Sequence, residues 1–231
     1  MFALLFNLPA LFAALKEKPG RQWWFPLIIT TVLGAAGIFL ALQRTDLESA
    51  IGESIMESGQ KMSADQAAQG AEIGAKFARI SMTVAAVCAP LVVFVAAAAW
   101  FWMAANLSKT PTTFMAMLGL YSWTNMINVP RSLLGLVGLV RAGEIGSFKV
   151  LSAIDPLTPL TFVGDPSELS LHAIGLLSKF NLFTLAHLAL MALGVSAMTG
   201  MSRTRAFIFA YLPWCISLAW AALQYFMHRG S

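Results

Sequence analysis

The sequence predicts an all-α, polytopic integral membrane protein with five transmembrane helices and an N-terminal interfacial helix. Three observations carry that prediction. Of 231 residues, 58% are hydrophobic and 11% charged, whereas a water-exposed domain needs roughly a quarter charged residues to wet its surface. Five separated runs approach or exceed the about 20 apolar residues that cross a bilayer as a helix. None of those runs contains Asp or Glu. A soluble enzyme with a separate substrate domain is excluded, and residues 1–231 read as a single membrane domain.

Residues 1–21 read as the interfacial helix. Phe2, Leu5, Phe6, Phe12 and Leu15 approximate one apolar helical face. Lys16, Lys18 and Arg21 follow the apolar stretch instead of preceding it, which is the reverse of a secretory signal. Trp23 and Trp24 are the expected membrane-interface anchors, at headgroup level. Span one is Gln22 to Gln43.

Residues 43–79 predict an exoplasmic helical hairpin. The segment has no Pro, and Thr45 with Glu48 and Ser63 with Gln66 have capping-box spacing. The second helix should run without a breaker into span two, Ile80 to Leu107. From Ala64 it would be roughly 65 Å long at 1.5 Å per residue, so it should stand well out of the membrane. Glu53, Glu57, Gln60, Lys61, Asp65, Gln69 and Glu72 read as its solvated surface. Gly70 and Gly74 have GxxxG spacing but lie outside the apolar core, where that motif pairs membrane helices.

Span three is Thr110 to Val129, followed by Pro130, Arg131 and a further apolar turn to Val140. Residues 141–179 are punctuated by Gly143, Gly146, Pro156, Pro159, Gly164 and Pro166. They predict an irregular or re-entrant exoplasmic connection and no sixth span. A short helix is expected over Ser167 to Leu177. Span four is Phe180 to Met201, and span five is Ala206 to Met227 with Pro213 near its start.

Orientation follows from basic residues near the span ends. Lys16, Lys18, Arg21, Lys109, Arg203 and Arg205 fall on one side with Glu17 as the only acid. That side is the cytoplasmic one, which puts the N-terminus in the cytoplasm and the C-terminus on the exoplasmic face.

The same residues limit the chemistry. Spans free of carboxylates argue against a carboxylate-driven pump. His172, His187 and His228 are too dispersed to pair as axial haem ligands, and Cys88 and Cys215 read as small buried apolar residues in different spans. No metal, cofactor or catalytic residue is expected. Ser196 and His187 are nine residues apart in one helix, hence on opposite faces, and cannot form a Ser/His pair.

Polar residues do converge at one depth. Span three runs outward and span four inward, so Asn125, Asn128 and Arg131 meet the level of Asn181 and His187. The first three form one stripe at i, i+3, i+6. Two readings stay open: interhelical hydrogen-bond glue, or an outward-facing cavity for a lipid headgroup or small solute. Arg131 is the expected anchor, because Pro130 leaves carbonyls near Met126 and Ile127 unpaired and a guanidinium can satisfy them together with the amide oxygens of Asn128 or Asn181.

Three stretches carry a family resemblance: FNLPALFAALKEKPGRQWWFPLIITTVLGA, YSWTNMINVPRSLLG and SKFNLFTLAHLALMALGVSAMTGMSRTRAF. They resemble the Ypt-interacting protein (YIP) family of membrane proteins, in its bacterial members. Asn181 stands where that family shows an acidic residue, and the usual Trp is replaced near Ala186. The resemblance implies five spans, a cytoplasmic N-terminus and an exoplasmic C-terminus. It implies a non-enzymatic, trafficking-like protein that organises membrane or partner proteins through packing and lipid contacts. Eukaryotic members are implicated in vesicle trafficking with Rab-type GTPases. The expected partners are membrane lipids and a protein, not nucleic acid. The alternative is a transporter or binding protein for a small solute or lipid, using the outward-facing polar cavity.

Overall fold

The computed structural model describes residues 7–18, 22–57, 63–142, 145, 154–163, 165 and 168–227. Phe2, Leu5, Phe6, Arg21, Gln60, Lys61, Gly143, Gly146, Gly164, Pro166, Ser167 and His228 lie outside the described residues, as do the side chains of Glu53 and Glu57. Nine α-helices are described: α1 (Leu8–Glu17), α2 (Trp24–Arg44), α3 (Leu47–Glu57), α4 (Ala64–Leu107), α5 (Phe114–Thr124), α6 (Asn128–Arg141), α7 (Leu171–Leu177), α8 (Leu182–Thr199) and α9 (Arg203–Met227). Among the described residues, four helices are long and apolar enough to cross a membrane: Trp24–Arg44, Asp65–Leu107, Leu182–Thr199 and Arg203–Met227.

The expected third span is helical but interrupted. Between α5 and α6 lies a 3-10 turn, Asn125–Ile127. Pro130 has no N–H to offer the Met126 carbonyl, and its ring crowds that oxygen. The chain tightens there, and the Asn128 N–H bonds to the Asn125 and Met126 carbonyls. Neither α5 nor α6 alone reaches the length of a span.

The chain forms two compact units. In the first (Met1–Thr31, Ala89–Val129 and Leu182–Ser231), α8 packs against α1, α5 and α9. Asn7 caps α1, its side-chain oxygen accepting from the Ala10 N–H at 3.3 Å. The apolar face of α1 is covered by protein: Leu11, Phe12 and Leu15 join the buried core with α5 and α8. Gly194 permits the approach, since a Cβ there would overlap Leu120 and stand 3.0 Å from Phe12 Cε1. Pro213 removes the N–H that would pair with the Phe209 carbonyl in α9. The Trp100 indole N–H takes that place at 2.9 Å, and Tyr211 donates to the Leu185 carbonyl at 2.9 Å. Two sequence positions thus tie α9 to α4 and α8 with groups that would otherwise be unsatisfied. Cys88 and Cys215, expected to be buried, are both exposed on their helices.

The second unit holds Val32–Cys88 and Pro130–Asn181. Here α3 folds back on α4 through Leu47, Ala50, Ala71 and Ala75, all buried. Gly70 and Gly74 have a role after all: their missing side chains leave room for Ile55 and Ile51 of α3, at 3.5 and 3.1 Å from where a Cβ would stand. The Ser63/Gln66 capping box forms in both directions, at 3.1 and 3.2 Å. The Thr45/Glu48 box does not. Asp46 caps α3 instead, accepting from the Ser49 N–H at 3.2 Å, because Thr45 is drawn into a bridge with Ile145. In that bridge Ile145 donates to the Arg44 carbonyl at 2.7 Å and accepts from the Asp46 N–H at 3.2 Å. The connection after α6 is irregular, with one 3-10 turn at Pro159–Phe162. Helix α7 starts at Leu171, later than expected, with Ser170 as its cap.

Candidate functional site

The polar residues expected at one depth fall into three bonded sets. The largest is built on a residue that the sequence reading passed over, Asp155. Arg131, on the first turns of α6, donates from Nε to Asp155 Oδ1 at 2.8 Å and from Nη2 to Oδ2 at 2.6 Å. This is a planar, two-point pair of the kind a guanidinium forms with a carboxylate. Asn181 Nδ2 donates to the same Oδ1 at 3.2 Å and to the Pro156 carbonyl at 3.0 Å. Arg131 and Asn181 are therefore brought together, but through a shared carboxylate. The residue expected to rest on helix carbonyls and amide oxygens meets a countercharge, which satisfies a guanidinium more strongly than neutral oxygens can.

The loop that delivers Asp155 is tightly held. Its carbonyl accepts from the Thr158 and Thr161 hydroxyls, both at 3.2 Å, and Thr158 is 1% exposed. Leu157 sits at φ 58°, a left-handed conformation costing a non-glycine residue about 1–2 kcal/mol, so these bonds force the turn. Ile154 packs where α6 offers Gly138. The signal was present in the sequence: Asp155 is the only charged residue in VLSAIDPLTPLTFVG, and an arginine beside an apolar run needs a countercharge.

The pair is not sealed. The Arg131 and Asp155 side chains are 32% and 26% exposed, and they stand at the side of a groove of about 390 Å³ that belongs to the second unit alone. Gly34 and Gly37 of α2 and Gly135 of α6 line this groove, with open space where their side chains would be.

The other two sets lie in the first unit. Asn128 Nδ2 donates to Asn125 Oδ1 at 2.9 Å, while Asn128 Oδ1 is buried without a partner among the described residues. His187, 6% exposed, faces Thr124, 2% exposed, with Nε2 3.2 Å from the hydroxyl. The hydroxyl donates to the Leu120 carbonyl at 2.9 Å. Tyr121 meets the imidazole edge-on at 5.0 Å.

The hydroxyl–imidazole contact in these sets, Thr124 with His187, is buried, at 2% and 6% exposure. Ser196 donates to the Met201 carbonyl at 2.8 Å, away from the Thr124 that holds His187. Among the described residues there is no group of three or more His, Cys, Asp or Glu able to hold a metal. Trp23 packs against the core of the first unit, and Trp24 is half exposed, edge-on to Phe25 at 6.0 Å.

A protein-family model described as the Yip1 domain matches residues 2–224. No curated protein and no solved structure gives a significant match.

Proposed function

We propose that this chain, which belongs to the Yip1 domain family of integral membrane proteins, organises the membrane or partner proteins without catalysing a reaction, acting through packing and lipid contacts. In this reading it crosses a bacterial inner membrane five times, with α5 and α6 together forming the third crossing, the N-terminus cytoplasmic and the C-terminus exoplasmic. Helix α1 lies at the cytoplasmic interface with Trp23 and Trp24 at headgroup level, and residues 43–79 and 141–179 are the exoplasmic connections.

The observation that carries this reading is the Arg131–Asp155 pair extended by Asn181. Arg131, Asn181, Asn125 and His187 all bond to neighbouring protein groups, as glue between elements does. Helices α2, α4 and α9 present large apolar side chains such as Val32, Phe39, Val92, Ile216 and Trp220, each half exposed or more. In a bilayer those side chains meet lipid.

The glycine-lined groove beside Arg131 favours a second reading, a transporter or binding protein for a lipid or small solute. Reconstitution separates the two. In sealed unilamellar phosphatidylcholine vesicles the protein should alter vesicle diameter and shape in proportion to its density, and leave the vesicles tight to small solutes. Solute flux that disappears in Asp155→Asn, with the variant still folded, would overturn the organising role in favour of the groove.

A further inference from the structure

A second cleft of about 390 Å³ in the second unit opens where α2 ends and the apolar run of α4 begins. Both signs of charge line it: Asp46 and Glu48 at the start of α3, Lys76 and Arg79 on α4. Part of that charge is engaged within the protein: Asp46 Oδ1 accepts from the Ser49 N–H at 3.2 Å. Lys76 reaches Glu72 on its own helix at 2.6 Å. Its ammonium is held protonated above the usual range by that bond and by the charges of Glu72 and, more weakly, Glu48. Arg79 makes no ion pair among the described residues. Thr45, 7% exposed, stands in the same wall with its hydroxyl buried and without a partner among the described residues. Such a group calls for a bound molecule or water.

Place and medium narrow the occupant. Arg44 closes the apolar run of α2 and Arg79 precedes that of α4, so the cleft stands at the level where headgroups pack if both helices cross the membrane. From it Ile80, Val84 and Val87 descend one face of α4 at i, i+4, i+7 spacing, each more than half exposed. A cleft of mixed charge thus opens onto an apolar track.

We infer that this cleft binds a phospholipid whose headgroup joins a phosphodiester to a primary ammonium, as in the ethanolamine phospholipids. The ammonium donates to Asp46 and Glu48, the phosphodiester meets Arg79 and the Thr45 hydroxyl, and an acyl chain follows Ile80, Val84 and Val87. A purely anionic headgroup would face two carboxylates. A choline headgroup carries the same charges but has no N–H to donate. The inference rests on the lipid-contact reading above and names the lipid.

The test is native mass spectrometry of the delipidated full chain, offered equal amounts of phosphatidylethanolamine, phosphatidylcholine and phosphatidylglycerol. Retention of the ethanolamine lipid should exceed both others by about tenfold, the factor that a charge-assisted hydrogen bond supplies. Asp46→Asn with Glu48→Gln should bring it down to the choline level; Asn keeps the cap on α3, so the fold is preserved. Arg79→Gln, at an exposed position, is the second variant and should lower retention of ethanolamine and choline lipids alike. Equal retention of the three lipids by the parent, or a preference that survives both variants, would overturn the assignment. Displacement of the lipid by stoichiometric glycerophosphoethanolamine would show a site for a soluble compound and overturn the lipid assignment too. The vesicle-shape assay uses phosphatidylcholine only, so an intact shape effect beside equal lipid retention refutes this site alone.

Discussion

Breaking the Arg131–Asp155 pair should destabilise the protein, and reversing it should restore much of the loss. The two N–O distances are 2.8 and 2.6 Å, and the side chains are 32% and 26% exposed. A fully exposed pair is worth about 0–1 kcal/mol, and removing one partner of a fully buried pair costs about 3–5 kcal/mol. At this exposure the cost of Arg131→Leu falls between those limits, at about 2 kcal/mol, because Asp155 keeps the Asn181 donor at 3.2 Å. Asp155→Asn should cost a similar amount, since Arg131 then faces a neutral amide. Arg131→Lys keeps the charge but loses the two-point geometry, for about 1 kcal/mol. In Arg131→Asp with Asp155→Arg, Asn181 can turn its amide to present its oxygen to the new guanidinium, although its bond to the Pro156 carbonyl is given up. The reversed pair should therefore recover at least about half of the loss, a coupling of roughly 1–2 kcal/mol. For a chain of this length about 2 kcal/mol corresponds to a fall of roughly 4–8 °C in melting temperature, readable by thermal melts in detergent. Single variants that melt with the parent, or a reversed pair as unstable as the sum of the single changes, would refute the reasoning.

Three further predictions follow from the packing. Gly194→Ala should lower the melting temperature, at a cost of about 1–3 kcal/mol for overfilling a packed contact, because the new methyl meets Leu120 and Phe12; an unchanged melt would mean that α1 is not seated on α8. Trp100→Phe leaves the Phe209 carbonyl without its donor and should cost about 1–3 kcal/mol. The cost should shrink when Pro213→Ala restores the helix N–H, and a cost unchanged by that second substitution would separate Trp100 from Pro213. Ser63→Ala removes the cap of α4 and should cost about 1 kcal/mol, seen as faster hydrogen exchange at Gln66 and Ala67; exchange equal to the parent's would count against the cap.

The regular elements were legible because their signals are local. Helix α4 keeps the bounds set by the Ser63 cap and by a stretch with no helix breaker before Pro90, and a proline that deep in an apolar helix bends the path without ending it. The interruption at Asn125–Ile127 follows from Pro130, and the Met126 carbonyl expected to be unpaired accepts from the Asn128 N–H in the 3-10 turn. What the sequence concealed depends on contacts between distant residues. Asp155 lies 24 positions from Arg131, in a segment whose punctuation marks it as irregular without saying where its carboxylate points. The Thr45 cap lost to Asp46 because pairing with Ile145, a hundred residues away, outweighs a local capping pattern. The partner of His187 is likewise a neighbour in space: Thr124, one residue before the asparagines singled out.

The central claim is that α5 and α6 together make one crossing despite the 3-10 turn, so that the chain crosses five times and its organising surface is a lipid-facing one. Parity decides it. In a chain carrying Cys88→Ala and Cys215→Ala, single cysteines placed at Ser202 and at Ser231 are reacted with a membrane-impermeant maleimide on intact and on opened cells. Five crossings predict that the Ser231 position labels from outside in intact cells, and that the Ser202 position labels only once the cytoplasm is opened. The reverse pattern, with the Ser202 position labelled from outside and the Ser231 position only once the cytoplasm is opened, would leave α5 and α6 without a crossing between them, and labelling of both positions from the same side would leave α9 without one; either contradicts the account.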